Sequence, residues 1–222
     1  MHVSVVQDVI PFFFGALAFF LLIGVSCRLL KWRKMAIVSY ILAVVAACYM
    51  LYFFRDPERK PPRDSSAIVS GADGTVTSIR NIREHDFLNT DTVRISIYLS
   101  LLDVHVNRSP ISGASRFMGY YPGKHFFTFQ EKSSEYNQHN SILIEGVHTR
   151  CLVNQIVGPV TRRVVYWLDH DNEQHVAVGD RIGMMKFGSR LDMYFPRSDV
   201  TVVVKPGDKV TAGVTIVARV NK

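Results

Sequence analysis

The chain is poor in cysteine, in evenly spread charge and in long amphipathic segments, and each shortage narrows what it can be. Its three cysteines, Cys27, Cys48 and Cys151, fall at no metal-ligand spacing and form no disulfide framework. Two of them lie in apolar runs, where a thiol behaves as a small hydrophobe. Charge is missing altogether from residues 9–27 and 35–54. Of the net charge of +7, the four Lys/Arg and one Asp of residues 1–54 leave +4 for the remainder. That excess is not gathered into a basic stripe interleaved with aromatics, which excludes a nucleic-acid-binding surface. No low-complexity tract is present, and no long amphipathic helix is evident after residue 64.

What is present begins with the two uncharged runs. Each is about the ~20 residues a helix needs to cross a bilayer. The first could be read as a secretory signal, but only His2 precedes its first acid, Asp8, and no small-residue cleavage site follows. The preferred reading is a membrane-embedded helical hairpin over residues 1–54. Both flanks of the second helix are basic: Arg28, Lys31, Arg33 and Lys34 precede it, and Arg55, Arg59, Lys60 and Arg63 follow. The positive-inside rule therefore selects neither orientation. A re-entrant hairpin would let both clusters touch one anionic surface, and the expected location is the cell membrane with the domain on its cytoplasmic face.

Pro57, Pro61 and Pro62 end the helical region. Beyond them come short runs rich in Val, Ile, Thr and Tyr, at 75–79, 93–99, 142–144, 163–168 and 200–204, separated by Asp-Gly, Pro-Gly and Gly-Asp turns. This spacing predicts a mainly β domain, barrel-like or sandwich-like, over 55–222. The tail Val202-Val-Val-Lys-Pro-Gly-Asp-Lys-Val-Thr-Ala-Gly213 resembles a hairpin of biotinyl and lipoyl carriers, with Met185-Lys186 like their modified lysine. The two features occur in the reverse order here, so shared hairpin geometry without lysine modification is expected. A membrane-tethered carrier or binding module without catalysis stands as the non-enzyme alternative. Asp169-His-Asp-Asn-Glu-Gln-His175 looks like a metal cluster, but it reads as a polar loop of a hairpin between 163–168 and 175–178. No metal site is expected.

The most informative stretch is Phe187-Gly-Ser-Arg-Leu-Asp192. A Gly-Ser bond at a tight turn can be cut by its own serine: glycine accepts strained dihedrals, and the hydroxyl attacks once a base removes its proton. Alone the dipeptide is a common turn. Four further segments accompany it in order: Phe53-Phe-Arg-Asp-Pro-Glu-Arg59, Gly71-Ala-Asp-Gly-Thr-Val76, Asp103-Val-His-Val-Asn-Arg-Ser-Pro-Ile-Ser-Gly113 and Tyr121-Pro-Gly123, with a weaker one at Gly158-Pro-Val-Thr-Arg-Arg-Val164. Together they resemble the phosphatidylserine decarboxylase family, of its short, archaeal-like type. The resemblance covers roughly residues 53–220.

The resemblance implies self-cleavage between Gly188 and Ser189, with Ser189 becoming a pyruvoyl group, the built-in cofactor. It implies His105 as the base and Asp73 as the carboxylate that orients it. The pyruvoyl carbonyl would form a Schiff base with the amine of a serine phospholipid and act as an electron sink while carbon dioxide leaves. The implied substrate is an anionic aminophospholipid at the membrane, with phosphatidylethanolamine as product. A related lipid such as archaetidylserine remains an alternative. Large and small fragments of one chain would stay associated, and a homodimer is left open. Where relatives of the long bacterial form have a second histidine, this chain has Arg108. Arg108 suits a carboxylate or phosphate or a structural ion pair. Tyr121 is a second substrate-binding candidate, and Tyr121 and His148 are both candidate proton donors.

Overall fold

The computed structural model describes residues 3–159 and 164–221. The middle of the 158–164 motif and Arg163, at the head of one expected strand, lie outside the described residues. The chain divides into two compact units, 1–57 and 58–222.

The first unit is a helical hairpin, α1 (Val3–Leu29) and α2 (Arg33–Phe53). Lys31, in a left-handed conformation (φ 64°), turns the chain between them. Gly24 lets the helices close up, since a Cβ there would meet the Tyr40 ring at 2.4 Å. The Ser39 hydroxyl crosses to the Phe20 carbonyl at 2.6 Å. Val9–Leu29 and Arg33–Phe53 are long and apolar enough to cross a membrane. They present large side chains such as Leu22, Ile37 and Val44 outward, unlike the core helices of a soluble domain.

The second unit is mainly β. Its strands are β1 (Ala67–Val69), β2 (Gly74–Glu84), β3 (Thr90–Leu99), β4 (Val106–Arg108), β5 (Gly113–Tyr121), β6 (His139–Glu145), β7 (Arg150–Val157), β8 (Val164–Tyr166), β9 (Gln174–Val176), β10 (Arg181–Met185), β11 (Ser189–Pro196), β12 (Val200–Val202), β13 (Lys209–Val210) and β14 (Ile216–Val220). One four-residue helix, α3 (Ser133–Tyr136), precedes β6. An eight-stranded sheet runs β13-β2-β3-β11-β7-β6-β5-β9, beside three-stranded sheets β4-β10-β8 and β1-β14-β12. Alternation along the strands sends one face inward: Ile95, Ile97, Val153, Leu191, Met193 and Phe195 join Ile68, Ile182 and Val217 in one core.

Two expected hairpins differ in the structure. Segments 164–166 and 174–176 do not pair with each other; β8 pairs with β10, and β9 with β5. The loop between them crosses from one sheet to another and is shaped by Asp169, which accepts from the Asp171 and Asn172 amides. In the tail, β12 pairs with β14 and β13 with β2. Strands of two or three residues gain too little from pairing locally, and the longer strands β2 and β14 offer better partners.

Candidate active site

The β10–β11 connection is three residues long, Lys186 to Gly188, and twists sharply. Phe187 and Gly188 both lie in the left-handed region (φ 54° and 77°). Such a conformation is costly for a bulky residue like phenylalanine and tends to occur at functional sites. Around Gly188 there is open space, with nothing within 4 Å of a would-be Cβ, so its requirement is conformational. Gly158 is needed for space instead: a Cβ there would lie 2.8 Å from the Gly188 carbonyl oxygen and 3.2 Å from the Thr128 methyl. The carbonyl of the candidate scissile bond thus rests against Gly158.

Ser189 opens β11, held between Leu99 of β3 and Val157 of β7. It is fully buried, and its Oγ makes no hydrogen bond to any described residue. A buried hydroxyl without a partner is costly. Strand register places Asp73 at the same end of the sheet, and the β4–β10 pairing places His105 beside the strand that leads into the turn. Thr75 pairs with Tyr98, next to Leu99, which places Asp73 just beyond that end. Val106 pairs with Met184, and the Met185 amide donates to the His105 carbonyl at 3.1 Å. His105 is therefore tied directly to the strand that leads into the turn.

The His105 ring is fully buried, and its Nδ1 lies 2.9 Å from the Asp103 carbonyl oxygen. A carbonyl only accepts, so Nδ1 carries the proton in the neutral ring and Nε2 carries the lone pair. Asp73 is engaged elsewhere. Arg59 grips it with both terminal nitrogens, one contact at 2.7 Å, and the Ala212 amide donates to it at 2.8 Å. Arg59, expected at a basic surface, thus turns inward. Arg108 is buried and donates to the Gly179 carbonyl at 2.9 Å. Lys186 is buried as well, which a surface-displayed carrier lysine would not be.

Tyr121 is not brought to Ser189. Arg190, Ile156, His139 and Tyr121 form one row across β11, β7, β6 and β5, so Tyr121 lies three strands away, about 14 Å at the usual strand spacing. It stacks on His139, on the sheet face opposite Ser189. His148 is in the β6–β7 turn, separated from Val157 by the length of β7, about 23 Å at ~3.3 Å per residue.

The opposite face of β11 holds a charge network that the sequence did not announce. Arg190 and Asp192 are both fully buried and pair at 2.9 Å. Glu131 bridges Arg94 and Arg190, the latter at 3.0 Å, and accepts from Ser78 at 2.8 Å. Burial pushes the Glu131 carboxyl up, but the Ser78 hydrogen bond and the two guanidinium charges outweigh it and hold the group below its ordinary value. Burial, and then the Asp192 charge, push the neighbouring Tyr194 hydroxyl well up. Charged side chains in β11 read as a solvent face, yet Arg190 and Asp192 are interior, with Glu131 of loop 124–136 paired to Arg190. Among the described residues no group of three or more His, Cys, Asp or Glu is arranged to hold a metal.

The phosphatidylserine decarboxylase family model matches residues 47–218. Three similar proteins are each named phosphatidylserine decarboxylase proenzyme. That of Desulfotalea psychrophila is 35% identical over 99% of this chain and 98% of its own length. The Prosthecochloris aestuarii protein is 39% identical over 87% of each chain. The Carboxydothermus hydrogenoformans protein is 37% identical over 81% of this chain and 84% of its own. The match takes in the turn, His105, Asp73 and the buried strand that begins at Ser189, and on it the chain belongs to the phosphatidylserine decarboxylase family of carboxy-lyases.

Proposed function

We propose that the protein is a self-processing decarboxylase that cuts itself between Gly188 and Ser189 and then removes the carboxylate from a serine phospholipid. The observation that carries this reading is the turn itself: two left-handed residues leading into a buried serine whose hydroxyl has no described hydrogen-bond partner. His105 Nε2 takes the Ser189 Oγ proton as the oxygen attacks the Gly188 carbonyl carbon. The Gly188–Ser189 C–N bond breaks as His105 passes that proton to the departing Ser189 nitrogen, and Gly188 is left as an ester on the serine side chain. Loss of the Gly188 carboxylate from that ester, then hydrolysis with release of ammonia, leaves a pyruvoyl group at position 189. Such a group supplies an electron sink for a primary amine that loses carbon dioxide. The site fits it, because the position is buried and the serine oxygen has no hydrogen-bond partner among the described residues.

Asp73 supports the protonated His105 from the same sheet end in this reading. Because Arg59 shares its charge, that support is partial. Arg108 is the residue we assign to the substrate's carboxylate or phosphate, by virtue of its planar fork. The unit 1–57 serves as a membrane anchor and 58–222 as the catalytic domain, on the cytoplasmic face, with the two fragments held together by the β3–β11–β7 pairing. An anionic lipid with a serine headgroup offers both the amine and the carboxylate that the chemistry needs, and a water-soluble amino acid needs no anchor. The test is to offer the matured protein detergent-dispersed phosphatidylserine, free serine and other free amino acids, and to measure carbon dioxide. Release from the lipid alone is expected; comparable release from a free amino acid would overturn the lipid assignment.

A further inference from the structure

Loop 124–136 is braced at both ends and yet shows two phenyl rings to solvent. At its base the Lys124 amide donates to the Tyr136 carbonyl at 2.7 Å, and the Asn137 side chain ties Phe126 to the Val157 carbonyl. Further along, Glu131 is locked to Arg94, Arg190 and Ser78. Between these anchors Thr128 is buried, its methyl group directed at Gly158 beside the Gly188 carbonyl. Its neighbours Phe127 and Phe129 are each 56% exposed, stacked at 5.4 Å. A slack loop would tuck such rings away; this one is fixed in a shape that displays them. Two lysines of the same loop lie against the neighbouring half-buried Phe126, with Lys132 Nζ 3.9 Å and Lys124 Nζ 5.6 Å from its ring centre.

We propose that this loop is a second membrane contact, docking Phe127 and Phe129 into the interface of an anionic bilayer while Lys124 and Lys132 meet lipid phosphates. Phenyl rings at the headgroup boundary with lysines beside them are what an interfacial segment requires. A protein partner fits less well, because lysine is depleted in the centres of protein interfaces. The α2 span ends at Phe53, five residues before the second unit begins at Glu58, so the loop belongs to a domain on a short tether. Docking there would bring lipid headgroups to the loop that packs beside the Gly188 carbonyl. The inference rests on the membrane location proposed above and not on the decarboxylation chemistry.

The experiment is fluorescence of full-length Phe127→Trp reconstituted in vesicles of phosphatidylglycerol and phosphatidylcholine, with or without bromine high on the acyl chains. Emission added over the wild type, which has Trp32 and Trp167, should show a roughly twofold loss on brominated anionic vesicles. It should lose less on purely zwitterionic ones. Phe129→Trp is the second probe should the first variant fail to fold. Added emission that bromine does not change would overturn the proposal, including the case where it shifts with protein concentration and so reports a second copy. Equal quenching on both vesicle types would overturn the part assigned to the lysines. The readout needs no turnover, so it stands or falls apart from the decarboxylase reading.

Discussion

At the residue scale, two glycines meet at one carbonyl for different physical reasons. Gly188 is needed for its positive φ, and alanine there would cost about 1 kcal/mol or somewhat more while touching nothing. Gly188→Ala should therefore slow self-cleavage without stopping it. Gly158→Ala should stop it or come close, because its methyl would fall 2.8 Å from the Gly188 carbonyl oxygen and displace the atom under attack. His105→Ala should leave the chain uncut. Asp73→Asn should slow cleavage less, since Arg59 already shares that carboxylate. Time courses of fragment appearance on denaturing gels check all four; normal cleavage by the His105 variant would remove it as the base. Gly188, Ser189 and His105 could be proposed from the sequence because self-cleavage demands those residue types, and they stand in a recognisable order. The Arg59–Asp73 pair was not, because residues 14 apart in the chain meet only when the tail brings Ala212 against them.

At the element scale, β11 decides the stability of the site. Its alternation Arg190-Leu191-Asp192-Met193 reads as a strand with one wet face, and the strand and its core face were legible. The wet face was not, for Arg190 and Asp192 are interior there, with Glu131 of loop 124–136 paired to Arg190. Removing one partner of a buried ion pair typically costs about 3–5 kcal/mol, so Asp192→Ala should lower the unfolding free energy by that order in denaturant titrations. Glu131 adds a pH dependence. Its folded value is held below the ordinary glutamate range, so its contribution is complete above that range and is lost as pH falls through the depressed folded value. Thermal unfolding of the wild type should therefore weaken more between neutral pH and the acid side of the carboxylate range than that of Glu131→Gln. Parallel losses in both proteins would show that Glu131 carries none of it.

At the scale of the whole molecule, the division into an apolar helical hairpin and a mainly β unit was plain from charge and period alone: two uncharged runs, then three prolines, then short β-branched segments. Strand partners were much less legible. The segments of β8 and β9, and those of β12 and β13, looked like local hairpins, yet each paired with another, longer strand, distant in the chain for β9 and β13, and such choices depend on three-dimensional edges that no local pattern encodes. Self-cleavage is proposed at the Gly188–Ser189 bond, which follows two left-handed residues. Intact-mass measurement of the protein purified from its own host tests it most directly. Two fragments are expected, 1–188 and a small one beginning at position 189 with a keto group in place of its amine, and a single full-length chain for Ser189→Ala. A wild-type chain that stays whole yet releases carbon dioxide from a serine phospholipid would contradict it.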